Sequence, residues 1–363
     1  MSVRNLSLLA GVGSPVPVPP AVMDALAAVE IVTAIGERGS FRLFFRLDRR
    51  MQLPARFLFD SGDLVRVVLV FGTGGAASVA MDGVVVEQTV SAATRDAGPM
   101  LVVGGEDLTR LMDLNGTITR TFPGLPANVR VQTLLAGYAV FGVTPVVIPP
   151  PLADIQAADF IPHQRGTDYA YIRELAESVG HRFSLDPGPV PGSSIAYWGP
   201  EPRNRADPAL EINFRRPGNV DGLQLRFDAM RRVTPEAAVF DPISKILIPV
   251  PVPDITALGA PLGRVVPPAL RRRRLHSAAK FTVTGAAIEL LAEAARSAEA
   301  ATGHGRLRIA GRQRRLRAGS IVEVRRAADA FNGLFAVARV RDTVTASRHH
   351  QEFELVRAGL GAA

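Results

Sequence analysis

The chain has 363 residues, of which 47% are hydrophobic and 21% are charged, a balance typical of a globular protein with two or three domains. It contains no cysteine, which excludes disulfides and thiolate metal sites. The formal net charge of +8 is compatible with nucleic acid or acidic proteins as partners. Its 33 glycines and 28 prolines favour many short strands joined by turns.

The N-terminal 27 residues are predicted to form an arm. Residues 6–13 are apolar, but this run is shorter than the ~20 residues that a membrane span needs, and a Pro-rich stretch follows at 15–20. No segment of the sequence approaches that length of uninterrupted apolar residues, so we predict no membrane partner. We therefore expect residues 1–27 to be a flexible extension of the first domain.

Residues 28–105 follow a strand pattern throughout and are predicted to form a first tube-like β-barrel. A closed barrel buries such strands without exposing unpaired edges. Asp82–Gly83 is predicted to be a turn between two strands. Strands from about 206–240 are expected to complete this barrel. The main predicted strands span residues 41–47, 64–71 and 84–92.

Residues 106–205 mix helix and strand signals and are predicted to form an α/β region that connects two barrels. The clearest element is a helix that begins after Thr167, which can cap it, with Asp168 in the first turn. Gly180 is placed to end this helix, and a strand pattern follows at 182–186. The apolar stripe of the helix consists of Ile172, Leu175, Ala176 and Val179.

Residues 206–363 are predicted to form a second tube-like β-barrel. A Pro/Arg-rich connection at 241–280 interrupts it, and its length without a clear pattern predicts a surface arm or docking loop. A helix is predicted at 286–301, ended by Gly303 and Gly305. The predicted fold class is therefore α+β, mainly β, with two tube-like β-barrels and an α/β connecting region. The predicted C-terminal strands span residues 307–309, 320–325, 334–341 and 351–357.

One short stretch is typical of catalysis. Asp60 lies in Phe59-Asp60-Ser61-Gly62, which looks like the loop of aspartic proteases. That chemistry needs two carboxylates that share one proton, so a chain with one loop would have to act as a homodimer. Asp60 and Gly62 equally suit a tight turn between two strands, and this is the interpretation we favour.

The remaining candidate sites are weak. The sequence contains no H-E-x-x-H, Walker loop or G-x-G-x-x-G. His349 and His350 are adjacent, so on a strand they would point to opposite faces and could not easily hold one metal. Arg271–Arg274 could grip phosphate, but no aromatic residues for base stacking accompany it, which favours a solvated loop or contact with acidic proteins. We predict no catalytic, cofactor or metal site.

Several short motifs, in a fixed order, resemble one protein family. The best is Gln164–Gly180, QRGTDYAYIRELAESVG, and the others lie at 59–71, 81–85, 103–108, 131–142 and 311–355. Together they are similar to the phage late-control gene D family. Members of that family are tail baseplate hubs, related to the N-terminal hub of type VI VgrG spike proteins.

The resemblance implies a structural role without enzymatic activity. In relatives, three copies form a ring that joins the hexameric tail tube to the trimeric spike, with DNA or an effector only as passing cargo. We therefore expect a homotrimer with tube, spike and other baseplate proteins as partners, assembled in the bacterial cytoplasm. The sequence ends at Ala363 without a needle, so the spike is expected to be a separate protein. The alternatives are a hydrolase of aspartic-protease type using Asp60, and a basic nucleic-acid-binding module.

Overall fold

The computed structural model describes residues 6–47, 64–73, 76–93, 98–114, 116, 119–152, 161–201, 206–212, 220–241, 243–275, 282–309 and 315–362. Strands dominate these ranges, which confirms the prediction of a mainly β protein. The helices are α1 (Pro20–Ala25), α2 (Ala127–Ala136), α3 (Asp168–Ser178) and α4 (Val283–Ala298). The first strands are β1 (Leu6–Val12), β2 (Val16–Pro17), β3 (Leu26–Ala34), β4 (Ser40–Arg46), β5 (Val65–Thr73), β6 (Ala76–Ser91), β7 (Met100–Asp107), β8 (Val143–Val147), β9 (Arg182–Pro187) and β10 (Ser194–Gly199). The others are β11 (Ala206–Glu211), β12 (Val220–Phe227), β13 (Val233–Phe240), β14 (Leu247–Val250), β15 (Gly263–Val265), β16 (Arg271–Arg274), β17 (Ala301–Arg308), β18 (Ile321–Arg325), β19 (Gly333–Thr345), β20 (His349–Arg357) and β21 (Leu360–Ala362).

The N-terminal strands form one antiparallel half of a large sheet, in the order β3-β4-β7-β6-β5-β1-β2. Alternate residues of these strands point into a single apolar core that contains Phe41, Phe45 and Phe71. Strand β1 belongs to this half, because Leu6–Val12 pairs with β5 along its whole length and Leu8 is buried in the core. The predicted flexible arm at 1–27 is therefore wrong for these residues, since the apolar alternation of β1 fills the core.

The C-terminal strands form the other half, in the order β12-β17-β20-β19, with β18 beside β19 and β11 beside β18. Their shared core contains Phe335, Phe353 and Leu355. Strands β11 and β12 lie in this half, where they pair with β18 and β17. The expectation that strands from about 206–240 complete the first barrel is therefore wrong. Strand β1 occupies the edge of β5 in that half, and β11 and β12 bury their apolar side chains in the C-terminal core.

One pairing, between β3 and β19, joins the two halves into a single 13-stranded sheet. Strand β19 is long enough to serve both halves: its first residues, from Gly333 to Ala336, pair with β18, and Arg339–Thr345 pairs with β3. Each half wraps around its own core. Within the described ranges, no hydrogen-bonded pair closes either half into a ring. We call the β3–β19 pairing the seam.

The region between the halves is α/β, and its central helix forms as the sequence predicts. The Thr167 hydroxyl accepts a hydrogen bond from the Ala170 amide at 3.2 Å, which caps α3. Gly180 has φ +73, the left-handed conformation expected after the helix end. The four residues of the predicted apolar stripe are buried together with Trp198, whose indole Nε1 donates to the Ile172 carbonyl at 3.2 Å.

Asp82–Gly83 is not a turn, because β6 runs through it without interruption. Asp82 is buried by a bidentate pairing in which Arg66 Nε and Nη2 each lie 2.7 Å from a carboxylate oxygen. A Cβ on Gly83 would lie 2.1 Å from the Glu106 carbonyl oxygen, so the glycine permits close approach of β7. Strand β6 thereby pairs with β5 at its start and with β7 at its end.

The predicted irregular connection at 241–280 contains regular structure. Strand β14 forms a hairpin with β13, and β16 is the arginine run Arg271–Arg274. The predicted helix is present but ends at Ala298, and Gly303 and Gly305 lie inside strand β17. Their lack of a side chain matters there: a Cβ on Gly303 would lie 2.7 Å from Leu225 Cδ2 of the neighbouring strand.

Candidate functional site: the polar face of the joined sheet

The sheet carries a charged surface at the seam, on the side away from both cores. Residues alternate along each strand, so Val340 and Phe353 point inward while their neighbours Arg339, Arg341 and Glu352 point outward. Because the seam aligns the strands of both halves, this outward face continues from one half to the other. We call it the seam face and define it by Glu30, Val32, Arg42, His304, Arg306, Arg339, Arg341, Glu352 and Glu354.

Charges alternate in sign across the seam face. A row of charged side chains crosses five strands from β17 to β4. Arg306, Glu352 and Arg341 lie opposite one another on β17, β20 and β19. From Arg341, which lies opposite Val32, the row steps diagonally to Glu30 on β3, and Glu30 lies opposite Arg42 on β4. Arg306 binds Glu352 at 2.8 Å, and this hydrogen bond holds the pKa of that carboxyl below its usual value. Arg341 reaches across the seam to Glu30 at 3.3 Å. The row therefore has partners of opposite charge side by side, as cross-strand pairs favour.

Two shallow grooves flank the seam on this face. One, of about 660 Å³, lies over the C-terminal half and is lined by His304, Arg306 and Glu354 among others. The other, of about 360 Å³, lies over the N-terminal half and is lined by Arg42 and Glu87. Val32, Arg339 and Arg341 line both grooves, so the seam strands form the ridge between them. Both grooves are open to solvent, and charged side chains make up much of their lining.

A buried ionic cluster lies behind the seam face, between the two cores. Asp342 on β19 accepts from Arg315 Nη2 at 2.7 Å and lies 2.6 Å from His349 Nε2. The Arg315 guanidinium covers the Phe71 ring at 4.1 Å, and the His349 ring stacks on the same phenylalanine. Phe71 belongs to the N-terminal core, whereas the three polar residues belong to the C-terminal chain. We call Arg315, Asp342 and His349 the seam triad.

The Asp342 carboxyl of the seam triad is held in its charged form by the groups around it. Burial alone would raise the pKa of the Asp342 carboxyl, but the Arg315 charge and the hydrogen bonds from His349 and Arg315 lower it to about 2. Removal of one partner would leave a charge without compensation in a dry environment. Through its contacts with the Phe71 ring, the triad packs β19, and with it the seam, against the N-terminal half.

Two further polar contacts fix the α/β region to the N-terminal half. Arg38 binds Glu106 at 2.9 Å and Asp113 at 2.5 Å, and its guanidinium lies 4.1 Å from the Tyr169 ring of α3. Arg66, already paired with Asp82, donates from Nη2 to the Gly192 carbonyl at 3.0 Å. These contacts connect α3 and the turn before β10 to strands β5 and β7. The relative placement of the three parts is therefore specified by buried or half-buried arginines.

The candidate residues that the sequence predicts lie away from the seam face or outside the residues that the structure describes. Asp60 and the rest of Phe59–Gly62 lie outside the described residues. Arg271–Arg274 is an exposed edge strand, in which Arg272 binds Glu236 at 3.1 Å and Arg273 binds Glu293 at 2.7 Å. His349 and His350 do face opposite sides of β20, because His349 is buried and His350 is partly exposed.

Sequence reasoning missed the seam triad and the seam face. The alternation of 339–342 indicates which side chains are polar, yet nothing local shows that β3 is the partner of β19. Among the described residues, no group of three or more His, Asp or Glu is arranged to hold a metal ion. No helix in the described ranges has the length and apolarity that crossing a membrane requires.

Comparison with solved structures gives extensive matches in fold. A tail protein from Neisseria meningitidis MC58 superposes with a TM-score of 0.63 at 14% identity, over 97% of this chain and 96% of that one. A 43 kDa tail protein of prophage MuSo2 from Shewanella oneidensis gives 0.62 at 14% identity, over 97% and 98%. The E. coli c3393 protein, a component of the type VI secretion system, gives 0.55 at 12% identity, over 93% and 76%.

These matches establish the fold over nearly the whole chain. No protein-family model matches the sequence, and no curated protein matches it either. The expected resemblance in fold to phage tail proteins and to VgrG-type proteins of injection systems is confirmed. At these identities the similarity concerns the architecture, and the function has to be argued from this chain's own surfaces.

Proposed function

We propose that this protein is a structural baseplate hub of a contractile tail or injection system, in which three copies join the hexameric tail tube to the trimeric spike. The observation that carries the proposal is the seam, which makes one continuous sheet from two halves that each have their own core. Three copies of a two-part sheet would place six sheet halves around an axis. That number matches a hexameric tube, while the copies themselves keep the threefold symmetry of a spike.

The seam face is the surface that suits the channel of such a ring. A lining has to be hydrated and must not hold the cargo that passes over it. Arg306, Glu352, Arg341 and Glu30 pair with one another across the row, so little net charge is left to bind a charged polymer. The apolar side chains of the same strands point into the two cores, so they stay buried when the polar side chains line a channel.

The fold matches support a role as a particle component. Two of the similar structures are described as tail proteins, and a third as a component of type VI secretion. The part of the chain that the structure describes contains an open, charged sheet face and no enclosed polar pocket with a group of potential metal ligands. A structural task fits these features better than hydrolysis or sequence-specific binding to nucleic acid.

The oligomer is tested by the mass of the purified protein, alone and with a trimeric spike from the same particle. The hub proposal predicts a species of three 38.7 kDa chains, with an interface above ~2,000 Å² in total. Mass photometry at several concentrations would measure it. A monomer that persists in the presence of the spike would contradict the proposal.

The channel assignment is tested by cysteine labelling, since the chain contains no cysteine of its own. Glu354→Cys places a thiol on the seam face, and Val140→Cys, at a position that is 83% exposed, serves as the matched control. In assembled particles, a bulky polymer-linked maleimide should label the control but not the seam thiol, while a small maleimide labels both. Equal labelling of both positions by the bulky reagent would refute a channel lining.

A further inference from the structure

The hairpin β13–β14 and the arginine strand β16 form a small sheet, in the order β14-β13-β16. On one of its faces the described side chains are exposed or partly exposed. Helix α4 covers the other face, where Ala237, Val239 and Val250 pack against Leu290. The intervening residues of β13 point away from α4, and Phe240 among them is 49% exposed. We call the side away from α4 the open face.

The tip of the hairpin exposes a concentration of apolar side chains. Leu247 lies opposite Phe240 and is 63% exposed, and the turn that joins them adds Ile243 at 91% and Ile246 at 62%. Four adjacent large side chains of this kind are costly to leave in water. A contiguous exposed apolar patch on a protein with well-filled cores marks a site of interaction.

The free edge of β14 is not suited to strand addition. The Asp241 amide donates to the Ile246 carbonyl, so these two residues form a hydrogen-bonded pair of the antiparallel ladder. Hydrogen-bonded and non-hydrogen-bonded pairs alternate along such a ladder, so the backbone polar groups of Leu247 and Pro249 point toward the free edge of β14. Pro249 has no N–H to offer there, which blunts the edge. The partner is therefore bound through side chains of the tip and of the open face.

Arginines continue the open face at the other end of the sheet. In the parallel register, Arg272 lies beside Thr234 and Arg274 beside Glu236, on the same side as Phe240. Arg272 is 81% exposed in its side chain although it binds Glu236 at 3.1 Å. Glu236 and Phe240 are four residues apart on β13, so the distance between them along the strand is about 13 Å. The open face therefore offers an apolar tip and a basic end that one partner can contact together.

We infer that the open face of β14-β13-β16 docks a different, acidic protein through an apolar pocket that takes the hairpin tip and carboxylates that meet Arg272 and Arg274. A second copy of this chain fits less well, since each copy brings a net charge of +8 to a basic surface. Nucleic acid fits less well because aliphatic side chains such as Ile243 give a phosphate backbone nothing to bind. The inference rests on the proposed function only in that the partner is sought within the assembled particle.

Site-directed photo-crosslinking identifies the occupant directly. Ser244→Cys, in the exposed turn beside Ile243, carries a benzophenone maleimide in a chain that has no other thiol. After assembly and irradiation, we expect a crosslink to another protein, at a segment rich in apolar and acidic residues. Crosslinks to a second copy of this chain or to nucleic acid would overturn the inference, as would a probe as solvent-accessible as one at Val140→Cys.

Surface variants then separate the two parts of the docking face. Ile243→Ser with Leu247→Ser should lower incorporation of the crosslinked partner about tenfold or more, because apolar burial is lost. Arg272→Glu with Arg274→Glu should lower it comparably and reverse its salt dependence, because salt then screens a repulsion instead of an attraction. The matched controls are Val140→Ser and Arg348→Glu, exposed positions elsewhere. Normal incorporation in both tip and arginine variants would refute the inference, while the trimer mass tests the hub role separately.

Discussion

Asp342→Asn tests whether the seam triad holds the two halves together. The substitution keeps the size of the side chain but removes the negative charge that Arg315 contacts at 2.7 and 3.3 Å and that His349 contacts at 2.6 Å. Arg315 has only 12% of its side chain exposed, so its charge cannot be rehydrated without rearrangement. Loss of one member of such a buried pair costs about 3–5 kcal/mol.

The matched control is Glu352→Gln, which removes a carboxylate from the neighbouring strand. Its ion pair with Arg306 is exposed on both sides, so the expected loss is about 0–1 kcal/mol. Urea unfolding followed by circular dichroism measures both free energies. Fluorescence of Trp198, the only tryptophan, reports separately on the α/β region. Equal effects of the two substitutions would refute the assigned role of the triad.

The pH dependence of the free energy of unfolding provides a second test of Asp342. Because the pKa of this carboxyl falls from 3.8 to about 2 on folding, its stabilisation is present above pH 3.8 and lost as the pH falls toward 2. This loss amounts to about 2 kcal/mol in the wild type and should be absent in Asp342→Asn. Identical acid profiles for the two proteins would contradict an ionised Asp342.

Two further predictions concern close packing and a buried histidine. Gly83→Ala should destabilise by about 3 kcal/mol or more, because the new Cβ would lie 2.1 Å from the Glu106 carbonyl oxygen, while Gly98→Ala, with open space around its Cβ, should be neutral in the same urea experiment. His181 packs edge-on against Trp198 at 4.6 Å, and burial lowers its pKa from 6.5 to about 4. Its stabilisation is therefore present above pH 6.5 and lost as the pH falls to 4, by about 3 kcal/mol, and His181→Phe should flatten that part of the pH profile.

Helix α3 could be predicted from the sequence because its signals are local. Thr167 caps it, Asp168 follows in the first turn, and Gly180 ends it, all within one short stretch. The apolar stripe between them reports the buried face directly. The boundaries of such a helix are set by residues at its own ends. The family resemblance is also strongest in this stretch.

Strand β6 shows where local reasoning fails. An Asp-Gly pair between two apolar runs is a strong hairpin signal, so the sequence predicts a turn at Asp82–Gly83. Arg66, on the neighbouring strand, pairs with Asp82 and keeps it buried inside one long strand. The deciding contact comes from tertiary structure, which the dipeptide itself does not encode.

The seam could not be predicted because it too depends on tertiary contacts, here between strands that are far apart in the sequence. The alternation of Arg339, Val340 and Arg341 indicates a strand with one polar face, but not which strand lies beside it. Its partner β3 is about three hundred residues away in the chain, with Val340 opposite Thr33. Pairing across such a distance is specified by the two cores and the triad together, so the seam face emerges only in the folded protein.

Electron cryomicroscopy of the protein assembled with its particle tests the central proposal most directly. The hub account predicts a threefold ring with six sheet halves around the axis and with Arg306, Arg341 and Glu352 facing the channel. A ring with these residues on its outer wall, or a particle that contains a single copy of the chain, would contradict it.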